Sequence, residues 1–121
     1  MANDFKRFTV SSAGTGTGAS GSALYSCPAG SGSSALESII IGITLANKTT
    51  TGVTADIYLD GFDGTDTYIV KTATIPAGSS LEVMSGNKIV LQNSGSAGDV
   101  IRVTCGTGSA LDATLSVLED V

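Results

Sequence analysis

The chain is predicted to be all-β, a two-sheet antiparallel sandwich of eight or nine short strands, jelly-roll or immunoglobulin-like in type. Three observations predict it. Apolar residues recur with period two wherever there are enough of them to judge, as half-buried strands require. Turn-forming clusters of Gly, Ser, Asn, Asp and Pro punctuate the chain at short intervals. No window holds a sustained i, i+3, i+4, i+7 apolar stripe, and only 14% of residues are Asp, Glu, Lys or Arg. Amphipathic helices draw their solvent faces largely from charged residues. So many short antiparallel strands in one small domain are best buried as two face-to-face sheets.

The elements follow in order. A strand is expected near residues 5–10, then a Gly/Thr/Ser loop over Ala13–Gly21 that reads as flexible and solvent-facing. Strands near 22–27 and 36–46 flank the turn Pro28–Ser34. In the second, alternation places Ile39, Ile41, Ile43 and Leu45 on one face and Ile40, Gly42 and Thr44 on the other. The strand at 53–59 sets Val53, Ala55, Ile57 and Leu59 against Thr54, Asp56, Tyr58 and Asp60. Strands at 67–74, 80–84 and 88–92 are separated by Pro76–Ser80 and Ser85–Asn87. At 100–105, Ile101, Val103 and Cys105 oppose Arg102 and Thr104. At 111–119, Leu111, Ala113, Leu115 and Val117 oppose Asp112, Thr114, Ser116 and, out of pattern, Leu118. The whole is one domain over residues 1–121, in which 1–21 form an N-terminal strand or arm followed by the Gly-rich loop.

Composition narrows the function. Gly, Ser and Thr make up 47 of 121 residues, yet aliphatic runs interrupt them too regularly for wholesale disorder. His is absent, which removes Ser-His and Cys-His nucleophile pairs and His-ligated zinc or haem. Six cations against eleven acids leave no basic stripe, so no nucleic-acid partner is expected. The longest apolar stretch, Ile39 to Ala46, is broken by Gly42 and Thr44 and is under half the ~20 residues of a membrane helix. The charged start Met1–Phe8 lacks the apolar core of a secretory signal, so synthesis in a cytoplasm is expected. These features point away from an enzyme, a membrane protein and any cofactor.

Few motifs carry chemistry. Gly16-Thr-Gly18-Ala-Ser-Gly21 has the letters of a dinucleotide fingerprint, but a strand and a proline turn follow it where a helix is needed to hold the pyrophosphate. Asp56, Asp60, Asp63 and Asp66 crowd one hairpin, which reads as an acidic solvated turn; a weak Ca²⁺ site is the alternative. Cys27 and Cys105 each lie in or beside a strand and read as small buried hydrophobes, with pairing of the two thiols the alternative. No catalytic, metal or cofactor residues are assigned.

Two segments read as an interaction surface. Phe5-Lys6-Arg7-Phe8 holds two of the three phenylalanines and two of the six cations. It is either a strand tied into the sheet or an arm anchored on a partner. At the other end, Leu118 and Val121 break the alternation beside acidic residues.

Several stretches together resemble a group of small virion structural proteins of tailed bacteriophages, seen especially among phages of marine cyanobacteria. They are Met1 to Thr9, Leu24-Tyr-Ser-Cys-Pro-Ala-Gly30, Ile39 to Asn47, Tyr68-Ile-Val-Lys71 through Leu81, Gly98 to Thr104 and Leu115 to Glu119. The chain departs from that group at Cys27, where an aliphatic residue is usual, and in a longer, more Gly-rich Ala13–Gly21 loop. The resemblance implies a β-sandwich structural protein of the virion, and the head is the expected location. The resemblance gives a class without a defined role; a small β-domain low in charge with permissive Gly/Ser loops suits a shell of many copies, so the expected function is a non-enzymatic capsid decoration (cement) protein binding the major capsid protein and copies of itself, with a trimer as the expected oligomer. A tail, neck or fibre-base adaptor is the second reading, and a carbohydrate-binding adsorption module the third. On the first reading, Phe5–Phe8 or the Gly-rich loop meets the capsid, and removing residues 1–9 abolishes binding without unfolding the domain.

Overall fold

The computed structural model describes residues 3–16, 18–30, 32, 35–83 and 88–120. Nine strands account for most of them: β1 (Asn3–Val10), β2 (Ser22–Ser26), β3 (Leu36–Asn47), β4 (Val53–Asp60), β5 (Asp66–Ile75), β6 (Ser80–Glu82), β7 (Ile89–Asn93), β8 (Val100–Cys105) and β9 (Leu111–Asp120). Each lies within two residues of the strand expected from alternation. A single 3₁₀ turn, Gly18–Ser20, is the only helical element among the described residues.

The strands form two antiparallel sheets. One has the order β1-β9-β3, with β6 and β7 sharing the far edge of β3; the other has the order β2-β8-β4-β5. The pairings are nested: β1 with β9, β2 with β8, β3 with β6 and β7, β4 with β5. This is a long hairpin rolled up on itself, with its tip at β4–β5 and its ends at β1 and β9. Counting β6 and β7 as one interrupted strand, that arrangement is the jelly roll. An immunoglobulin sandwich pairs its first two strands in one sheet, whereas β1 and β2 here belong to different sheets.

The core lies between the sheets. From the first come Ile40, Ile43, Leu45, Leu91, Leu115 and Val117; from the second, Leu24, Val53, Ala55, Ile57, Ile101 and Val103, all buried. At roughly 25 cal/mol per Å² of apolar surface, each fully buried aliphatic side chain contributes about 1.5–3 kcal/mol relative to exposure. Alternation with this periodicity therefore dictates which face of each strand turns inward.

Candidate docking surface

β1 is an integral edge strand, in unbroken register with β9 from Asn3↔Asp120 to Val10↔Ala113. Directly opposed residues of an antiparallel pair share a face, so the register sorts the expected interface residues. Phe5, opposite Leu118, points outward and is 75% exposed. Arg7, opposite Ser116, lies on the same outer face. Lys6 and Phe8 point inward. The Phe8 ring packs on Tyr25 of β2 with centroids 4.8 Å apart. Lys6 Nζ lies 2.9 Å from Oε1 of Glu119, a carboxylate buried between the sheets. Tyr25 completes that site, its hydroxyl donating to Glu119 Oε2 at 2.6 Å and lying 2.8 Å from Ser38 Oγ. Burial, and then the bond to Glu119, push the Tyr25 phenol well above the usual range. The tetrad Phe5–Phe8 is thus divided between two jobs, and Val121 lies outside the described residues.

The outward set extends further than the sequence indicates. Leu118 is flanked on its other side by Ile39 of β3, and Ile39 by Val90 of β7. Phe5, Leu118, Ile39 and Val90 therefore form one transverse apolar row across four strands. Val90 is 55% exposed, and Leu118 and Ile39 are partly so. Past the exposed bulge residue Ile41, the neighbouring rows are polar: Arg7 and Ser116 beside Gly42, then Thr9, Thr114, Thr44 and Glu82. Strict alternation places Ile39 and Ile41 with the core and Ile40 opposite. The structure reverses this, with Ile40 fully buried and Ile41 39% exposed. A bulge between Ile40 and Gly42 is the cause, because one extra residue flips every side chain on one side of it. The Ile-Ile-Ile-Gly run is the available signal, since Gly within a strand often marks a bulge.

The chain itself covers the centre of the second sheet's outer face, leaving Tyr68 on β5 42% exposed. The Gly-rich loop expected to be free lies across β8 and β4. Thr104 Oγ1 donates to Gly14 O (3.2 Å), Arg102 Nη1 to Gly21 O (2.9 Å) and the Tyr58 hydroxyl to Gly18 O. Tyr58 is outward-facing yet wholly buried, and burial raises its phenol pKa. A side chain at Gly21 would occupy the place of the Tyr58 hydroxyl. The glycines of Gly16-Thr-Gly18-Ala-Ser-Gly21 thus allow close packing on a sheet, and the segment leads into strand β2.

The remaining polar groups hold structure. Asp56 accepts the Thr72 amide (2.6 Å) and pairs with Lys71, Asp60 accepts from Arg102 Nε (2.8 Å), and Asp63 caps its own turn at Thr65. Three of the four hairpin carboxylates are therefore engaged separately, and no group of three or more potential metal ligands occurs among the described residues. An open cleft beside Phe62 contains Asp99, whose two oxygens accept the amides of Phe62 and Gln92. Cys27 and Cys105 are both buried and free. The first bonds to the backbone at Asp99 and the second at Gly14, at opposite ends of β8, so about 20 Å of strand separates them, far beyond disulfide reach. Burial pushes the Cys27 thiol up. Ser85 and Lys88 have the S-x-x-K spacing of a Ser-Lys pair; Ser85 lies outside the described residues and Lys88 is exposed.

No family model matches the chain, and no curated protein matches it. Among solved structures it is similar to a chain in the structure of infectious bursal disease virus Gx strain, at 18% identity and a TM-score of 0.37. The match covers 95% of this chain and 32% of that one.

Proposed function

We propose that this chain is a non-enzymatic structural protein of a phage virion, a capsid decoration protein that docks on the major capsid protein through the outer face of the β1-β9-β3-β7 sheet. The observation that carries the reading is the transverse row Phe5, Leu118, Ile39 and Val90, left open on a molecule whose other sheet face has its centre covered by its own loop. A continuous exposed apolar patch with a polar rim is the usual mark of a protein partner. The jelly roll, a fold common to viral capsid and lectin domains, and the sequence resemblance to phage virion proteins support it. Fold by itself carries no function, so the weight rests on the row. Docking would act by burying apolar area, and repetition over a symmetric shell multiplies weak single contacts.

Removing residues 1–9 is a poor test, because it strips an edge strand from β9 and takes Lys6 away from buried Glu119. Substitution of the row is better. Leu118→Glu and Val90→Glu should abolish binding to purified capsids and leave the circular dichroism spectrum unchanged; undiminished binding by both would refute the assignment. Location is read by quantitative mass spectrometry of virions separated into heads and tails. Copies comparable to the major capsid protein in the head fraction fit decoration. A few copies confined to tails would replace it with the adaptor reading, and absence from virions would end both.

A further inference from the structure

A sandwich with four sheet edges must protect each of them, since an open edge offers unpaired backbone N–H and C=O groups to another chain. Three are blunted here. β2 is five residues long and interrupted by a register shift between Ala23 and Tyr25. β5 carries two irregularities against β4, and Thr72 within it has a left-handed φ of 53°. β6 and β7 are three and five residues long. β1 is the exception: eight residues, no bulge, and paired only with β9 among the described residues.

We infer that two copies of this chain join edge to edge through β1, antiparallel about a two-fold axis at Phe5. Faces must match across the new pair, so the register is restricted to residues of like parity. An axis at Lys6 or Arg7 would set two like charges directly opposite each other, which destabilises a strand pair. An axis at Phe5 sets phenylalanine against phenylalanine on the outer face. It also brings position 6, a lysine, opposite position 4, an aspartate, and Arg7 opposite Asn3. The apolar rows then run on into one stripe, from Val90, Ile39, Leu118 and Phe5 through their counterparts in the second copy. Because each copy has one such edge and the axis is two-fold, association closes at a dimer and cannot propagate. An isologous contact of this kind makes two-fold and not three-fold assemblies, in place of the trimer expected at first.

The inference concerns the purified chain and is independent of which virion protein the outer face meets. Sedimentation equilibrium of the full chain should give a dimer, and Phe5→Lys should weaken it at least about tenfold while leaving the circular dichroism spectrum unchanged. Val90→Glu, remote from the edge, should leave the dimer intact. Under oxidation, Phe5→Cys should cross-link in high yield. Arg7→Cys should not, since about 13 Å of strand separates its two copies in this register. A monomer at all concentrations, an oligomer indifferent to Phe5→Lys, or cross-linking at residue 7 in preference to residue 5 would each overturn the proposal.

Discussion

The two outer faces of the sandwich solve the same problem in opposite ways. Each carries a transverse row that is not polar enough to be left to water alone. On the β2-β8-β4-β5 sheet the row is Ala23, Arg102, Tyr58 and Tyr68, and the loop at residues 13–21 covers its centre, burying Tyr58 completely. On the β1-β9-β3-β7 sheet the row is Phe5, Leu118, Ile39 and Val90, and no described segment of the chain crosses it. Where the protein closes a face for itself it uses hydrogen bonds to a glycine-rich backbone. The bare row, by contrast, is where a partner has apolar area to gain.

If that contrast is correct, substitutions on the closed face cost stability and those on the open face do not. The largest effect is expected for Tyr58→Ala, which removes a fully buried ring and its bond to Gly18; urea unfolding should show a loss of about 3–5 kcal/mol. Gly21→Val drives a side chain into the Tyr58 hydroxyl and should cost about 1–3 kcal/mol, partly restored in the Tyr58→Phe background.

A smaller, graded effect is expected in alkali. The phenols of Tyr25 and Tyr58 and the Cys27 thiol have raised pKa values in the fold, so above the ordinary thiol and phenol ranges the unfolded chain releases these protons first. Stability is therefore full below about pH 9 and falls as pH rises beyond it. Tyrosinate absorbance from Tyr25 and Tyr58 should appear together with loss of structure; its appearance in a still-folded protein would break the comparison. The smallest effect belongs to the open face. Val90→Thr and Leu118→Ser should change unfolding free energy by no more than about 0.5 kcal/mol, while weakening capsid binding.

Much of this is legible in the residues themselves. Leu111, Ala113, Leu115 and Val117 read correctly as the buried side of β9, and Leu118 stands out because it breaks their alternation. Phe5, Lys6, Arg7 and Phe8 all read as interface candidates; alternation sets Phe5 and Arg7 on one face and Lys6 and Phe8 on the other, and only the pairing with β9 decides which face turns outward. Ile39 and Val90 escape a reading by alternation. Ile39 is hidden by the bulge at Ile41, and Val90 by the fact that only register against β3 places it in line with Phe5, eighty-five positions away in sequence.

Sequence alone determined the all-β class, the nine strands and most of the core, because period-two burial and turn chemistry are local properties of a chain. Tertiary structure alone decided the rest. Strand order selected the jelly roll over the immunoglobulin sandwich, and register assembled the apolar row. Packing turned a glycine-rich segment that reads as free into a cover for Tyr58, and it left β1 as the one long regular edge. Each of these depends on which distant backbone groups pair with one another, and pairing between residues remote in sequence leaves no local signature in the residues themselves.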